Sequence, residues 1–174
     1  MLDEDALKRP VVVVMGVCGS GKTEVGRKLA ARLGCDFLDG DDFHPPANVE
    51  KMRAGTPLTD ADRWPWLDRL AVEIGTRLTD GRGGVVACSA LARRYRDRLR
   101  VGRPGVMLVH LDGDRDLLAQ RLAARQGHFM PAALLDSQLA TLERPAPEER
   151  AIVVDVAASP DVIAERIGRA ISHT

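Results

Sequence analysis

The chain has 174 residues, 45% of them hydrophobic, and its 25 Lys+Arg balance 25 Asp+Glu to a formal net charge of zero. That length buries roughly 70% of the unfolded surface, enough for one compact domain over residues 1–174 with neither disulfides nor a structural metal. Balanced charge excludes a general nucleic-acid or polybasic membrane binder, which need a one-signed surface, and aromatics at 3% are too sparse for base-stacking platforms.

The opening residues MLDEDALKR carry acids and lack the apolar stretch of a signal peptide, and flexibility is expected over 1–9. No run approaches the ~20 apolar residues of a membrane span. Val11–Met15 is a β-branched run ending at Gly16, and a helical spacing through Val25, Leu29 and Leu33 follows as far as Gly34, so the chain begins strand, loop, helix. Further strands are expected at 36–38, 84–88, 106–111 and 152–156, separated by helical stretches. Alternation of this kind makes a mostly parallel sheet covered on both faces, because parallel strands need crossovers and helices supply them. Two segments interrupt the rhythm. In 39–80, Pro45, Pro46, Pro57 and Pro65 divide short helices before a longer one from Trp66, and in 121–131 RLAARQGHFMP joins a polar helix end, a glycine and an aromatic to the next helix. Both read as insertions at one end of the sheet. Three widely spaced cysteines, Cys18, Cys35 and Cys88, suit neither a disulfide framework nor a CxxC metal site, and point to a reducing, cytoplasmic compartment.

Gly16-Val17-Cys18-Gly19-Ser20-Gly21-Lys22-Thr23 matches G-x-x-x-x-G-K-[ST] between a predicted strand and a predicted helix. Glycines let backbone N–H groups turn inward around the phosphates of ATP, Lys22 reaches the β/γ oxygens, and the Thr23 hydroxyl is a ligand for Mg2+. Neither Asn-Lys-x-Asp nor an acidic Walker B strand end is present, which weakens GTPase and motor-ATPase readings and leaves the small P-loop kinases, whose substrate-binding insertion and mobile lid match segments 39–80 and 121–131.

After the second strand comes Leu38-Asp39-Gly40-Asp41-Asp42-Phe43-His44-Pro45, at the carboxyl end where open α/β sheets bind ligands. An alcohol nucleophile needs an acceptor for its departing proton, the role suited to Asp41, and Mg2+ needs an anion to hold its waters, the role suited to Asp39. Asp42 is equally a helix cap, and His44 either meets an acceptor hydroxyl or packs on the turn. In PLTDADRWPWL, Arg63 either grips a carboxylate with two parallel hydrogen bonds or pairs with Asp60 or Asp62, with Trp64 and Trp66 as packing.

The P-loop, LDGDDFHP, NVEKM, GTPLTDADRWPWL, ACSAL, YRDRLR and GHFMP, in this order from Val11 to about Pro145, resemble the gluconate kinases of the shikimate-kinase-like P-loop group. The resemblance implies an adenylate-kinase-like α/β/α fold with five parallel strands in order 2-3-1-4-5. It also implies ATP- and Mg2+-dependent phosphorylation of D-gluconate to 6-phosphogluconate by direct in-line transfer, and it suggests a homodimer. By position, Asp39 resembles the acid that acts on Mg2+ through water and Asp41 the acceptor-hydroxyl acid. Arg63 looks like a carboxylate or hydroxyl binder, Cys88-Ser89-Ala90-Leu91 flanks the acceptor pocket with Ser89 in it, and the lid spans Arg121, Arg125 and Gly127-His128-Phe129, with His128 on the substrate side. Arg121 and Arg125 lie four apart on one helix face. One touches phosphate and the other covers adenine, in an order left open.

The family often has lysine directly after CSAL; this chain has Ala92, with Arg93 as a substitute, and Arg144 departs from the family's adenine-side loop. Most of the run Arg93, Arg94, Arg96, Arg98 and Arg100 reads as a solvated helix face. Cys18 and Cys88 read as small space-filling residues. The overall neutrality hides a split: residues 36–62 hold seven acids against two bases, and residues 93–126 hold nine arginines against four acids. The rival readings are a shikimate-type kinase and a non-catalytic module switched by ATP.

Overall fold

The computed structural model describes residues 9–125 and 132–174. The expected flexible start is therefore outside the described residues except for Arg9, as are Gly127, His128 and Phe129 of the expected lid. Chain order is β1 (Val11–Met15), α1 (Lys22–Leu33), β2 (Phe37–Asp39), a 3-10 turn (Gly40–Phe43), α2 (Pro46–Arg53), α3 (Asp60–Asp80), β3 (Gly84–Ala87), α4 (Arg93–Arg98), β4 (Val106–Asp112), α5 (Arg115–Ala124), α6 (Ala132–Thr141), a second 3-10 turn (Pro147–Glu149), β5 (Ile152–Asp155) and α7 (Pro160–Ser172). The five strands run parallel in the order β2-β3-β1-β4-β5, as the resemblance implies.

β1 lies at the centre and is buried throughout, so its alternation serves two cores. Val12 and Val14 pack with Val25 and Leu29 of α1, Leu118 and Leu122 of α5, Leu135 of α6, and Ile163 and Ile167 of α7. Val11, Val13 and Met15 face the other way, onto Trp66, Leu67, Leu70 and Ile74 of α3 and Tyr95 of α4. This is the three-layer arrangement that buries both faces of a parallel sheet. No helix among the described residues is long and apolar enough to cross a membrane.

One boundary corrects the sequence reading. The long helix starts at Asp60 rather than Trp66, because Thr59 and Asp62 form a reciprocal capping box, with Asp62 N–H donating to Thr59 Oγ1 at 3.2 Å and Thr59 N–H donating to Asp62 Oδ2 at 2.9 Å. That cap outweighs Pro65, which sits inside the helix.

Candidate active site

The phosphate loop leaves β1 at Gly16 and enters α1 at Lys22. Gly19 sits at φ +83°, and a Cβ there would come within 2.9 Å of Leu122 Cγ and 3.0 Å of the Leu118 carbonyl, so the loop lies flat on α5. α1 starts from Gly21 with no side-chain cap, which leaves its first N–H groups for an acceptor that the helix does not itself provide. Lys22 folds back over the loop and donates to the Val17 carbonyl at 3.1 Å. Burial pulls its ammonium below the usual lysine range, against the opposing charge of Asp41. A cradle of free N–H groups at a helix start with a captive ammonium inside suits a polyphosphate.

Asp39, at the end of β2, caps the 3-10 turn by accepting the Asp41 N–H at 3.0 Å. Gly40 is wedged between: a Cβ on it would lie 2.5 Å from the Ala87 carbonyl oxygen of β3, while its own carbonyl accepts the Trp66 indole N–H at 2.7 Å. The acidic turn is thus pressed against the end of β3 and held by α3. Asp41's carboxyl is raised above its ordinary range by desolvation first and the charge of Asp39 next, with nearby Lys22 opposing. The acid of the turn after β2 is thus within Coulombic reach of the lysine of the phosphate loop. Thr23, in the first turn of α1, adds a hydroxyl, and with the carboxylates of Asp39 and Asp41 the donors are all oxygen, the chemistry that Mg2+ takes.

His44 is 8% exposed and stacks on Trp66 with ring centroids 4.1 Å apart. Asn48 Nδ2 donates to the Asp62 carbonyl at 2.9 Å and lies 3.2 Å from His44 Nδ1. The carbonyl fixes the amide orientation, so Nδ1 accepts and Nε2 carries the imidazole proton. Burial, reinforced by Arg63, lowers the histidine to about 4, and it is neutral at pH 7.

Arg63 pairs with Asp60 at 3.5 Å and not with Asp62, which binds Lys51 at 2.8 Å. Its guanidinium donates to the Tyr95 hydroxyl at 3.0 Å and lies over the Tyr95 ring. Tyr95 in turn donates to Asp60 at 2.6 Å, and Arg94 binds Asp60 through two nitrogens at 2.7 and 3.2 Å. Trp66 is not ordinary packing, since it anchors the acidic turn.

The CSAL stretch abuts the phosphate loop: Gly16 N–H donates to the Ser89 carbonyl at 3.3 Å, which places Ser89 beside the cradle. Ala90 follows with φ +46°. Burial pushes the Cys88 thiol up to about 12 and raises that of Cys18, so both remain protonated space-fillers.

In the basic run, Arg93 directs its guanidinium to Glu148 at 2.9 Å and Asp97 at 3.3 Å. Ala92 is fully buried beneath α4, so a long charged side chain there would displace core. Arg94, Arg98 and Arg100 are exposed, as a solvated face requires, and Arg96 is the exception. Arg96 is 0% exposed; it holds Glu149 at 2.6 and 3.3 Å and donates to the Ala90 and Leu91 carbonyls at 2.9 and 3.0 Å. Arg144, the other departure, donates to Asp112 at 2.8 Å.

Arg125 caps the end of α5, within Coulombic reach of Lys22 and Cys18 of the phosphate loop. Arg121 is half-buried one turn earlier. His128 lies outside the described residues. Sequence reasoning missed Asn48, Tyr95 and Gln138, whose amide oxygen accepts the Cys18 N–H at 2.7 Å. A lone glutamine at helical spacing between Leu135 and Leu142 was a readable signal for the last.

A five-stranded parallel sheet whose central strand feeds a phosphate loop, faced by carboxylates from the neighbouring crossover, defines the P-loop small-molecule kinases. A family profile described as "AAA domain" matches residues 11–145. The chain is 52% identical over 163 residues to the gluconokinase of Gluconobacter oxydans (strain 621H), covering 94% of this chain and 92% of that one. Among solved structures it resembles an unliganded sugar kinase from Janibacter sp. HTCC2649 (47% identity, TM-score 0.87, 94% of this chain and 95% of that chain). It also resembles a gluconokinase from Sinorhizobium meliloti 1021 (45% identity, TM-score 0.80, 95% and 97%). The chain belongs to the gluconokinase family.

Proposed function

We propose that this protein transfers the terminal phosphoryl group of ATP to the 6-hydroxyl of D-gluconate by direct in-line displacement, without a covalent enzyme intermediate. The observation that carries the reading is the convergence of Asp41 on Lys22 at the mouth of the phosphate loop. Bound ATP with Mg2+ supplies the phosphoryl group and neutralises charge on its oxygens. The residues of the chain do the rest. Lys22 exchanges the Val17 carbonyl for phosphate oxygens, Gly19 to Thr23 present backbone N–H groups, and Thr23 with Asp39 holds the cation, Asp39 through water. Asp41 accepts the proton of the gluconate hydroxyl as its oxygen bonds to phosphorus, a task that requires the carboxylate form. Arg125 stabilises charge on the transferring group, with Arg121 toward the base. Arg63, aimed by Tyr95, and the His44 Nε2–H bind the carboxylate and hydroxyls of gluconate, together with Ser89.

A coupled ADP-release assay with gluconate, shikimate or no acceptor tests this. Gluconate-dependent release abolished by Asp41→Asn is the expected result. Release with shikimate alone selects the shikimate-type reading, and acceptor-independent nucleotide binding with no turnover selects the ATP-switched module.

A further inference from the structure

The inward face of α6 carries Leu135 in the core and Leu139 packed against it, with Leu142 just past the helix end, and Gln138 is the polar residue on that same face. Gln138 is half-buried, and its Oε1 acceptor meets the Cys18 N–H at 2.7 Å. Cys18 immediately precedes Gly19, the first of the loop residues whose amides form the cradle. The helix that makes this contact is itself fixed: Leu135 is fully buried, and Asp136 takes a two-pronged bond from Arg115 of α5 at 2.6 and 3.0 Å. The phosphate loop is therefore held from two helices, by the α5 surface under Gly19 and by the α6 amide at Cys18.

We propose that Gln138 is a positioning residue for the nucleotide: by capturing the Cys18 N–H from α6 it sets the peptide plane entering the cradle and so the aim of the amides that follow. This rests on nucleotide binding by the loop and not on the identity of the acceptor. Gln138→Met keeps length and apolar packing but removes the acceptor. Gln138→Glu keeps the acceptor and adds a charge near the polyphosphate.

Calorimetric binding of Mg2+-ATP to the whole chain, without acceptor, gives the direct readout, and steady-state KM values with gluconate give the second. For Gln138→Met the expected result is roughly a 5- to 50-fold weaker ATP dissociation constant, because the peptide entering the cradle is no longer held, with gluconate KM within about twofold and a melting temperature lowered by roughly 2–12 °C from the lost bond. For Gln138→Glu the ATP penalty should shrink with added salt, whereas that of Gln138→Met should not. Unchanged ATP affinity in Gln138→Met with a folded protein overturns the proposal, as does an equal rise in both KM values. Because ATP binding is measured alone, failure of the gluconate reading leaves this result intact, and the converse holds.

Discussion

Replacing Gly40 with alanine tests whether the acidic turn is placed by steric contact with the sheet. The added Cβ would lie 2.5 Å from the Ala87 carbonyl and 3.3 Å from Cys88 Cβ, and the nearer contact is to backbone of β3, paired with β2 at Asp39. Since β3 is locked between two strands, the turn must move, by about 0.9 Å to reach ordinary contact at 3.4 Å. Overpacking of this kind costs ~1–3 kcal/mol. The movement also strains the Trp66 bond to the Gly40 carbonyl, 2.7 Å now, whose loss adds ~1 kcal/mol. Together these predict a melting temperature lower by roughly 4–16 °C at ~2–4 °C per kcal/mol. Catalysis should suffer more, because the same displacement carries Asp39 and Asp41 off station and a shift near 1 Å costs on the order of 100-fold in rate. The assay is kcat for gluconate phosphorylation at 25 °C, well below the transition, beside calorimetric melting and ATP binding, which should hold because the phosphate loop is carried by β1 and α1. A folded, destabilised Gly40→Ala protein with kcat within about twofold of the parent would refute the reasoning.

Asp41→Asn should lower turnover by roughly 10²–10⁴, and the acid limb of kcat/KM should follow the raised Asp41 carboxyl, activity falling as pH falls through it; a variant with parental turnover would remove Asp41 from the proton path. Arg96→Met strands the buried Glu149 carboxylate, and about 3–5 kcal/mol of stability should be lost, read as a fall in melting temperature that Arg96→Met with Glu149→Gln partly recovers. Glu149 itself is pushed up by burial but brought below its ordinary value by the Arg96 bond, so the pair's contribution is present above the unfolded glutamate pKa and is lost as pH falls through the lower folded one. His44 acts in the same direction over a higher window: the folded protein resists its protonation down to about 4 while the unfolded chain protonates near 6.5, so stability should rise with pH across that window, by at most about 3 kcal/mol. Melting curves of parent and His44→Gln between pH 4.5 and 6.5 check this, with about equal slopes counting against it.

The architecture was legible because the strands are buried on both faces and read as unbroken β-branched runs, with helices announced by their spacing. Even so, Thr59-x-x-Asp62 was a capping box in plain sight, and Pro65 drew attention from it. The site was legible where chemistry requires a residue type at a fixed spacing, as in the phosphate loop and the Asp39/Asp41 pair. It was illegible where a role depends on partners far along the chain. Arg96 looks like its neighbours in an arginine-rich helix, and only the fold brings Glu149, 53 positions later, against it. Arg63 could not be placed without Tyr95, 32 positions away. The two opposed charge stretches meet directly at Asp60 and Arg94, a pairing that neither stretch announces alone.

The Arg96–Glu149 clamp carries a hereditary consequence. Through one guanidinium it ties the Ala90 and Leu91 carbonyls, on the acceptor side, to the Ala146 N–H that Glu149 also receives at 2.7 Å, on the side of the loop after α6. Neither member can change alone without leaving a buried charge or unbonded carbonyls, so the two positions should pass through descent as one locus: a relative that loses the arginine should lose the glutamate with it. The turn after β3 and the loop before β5 can then vary only within what this shared bolt allows.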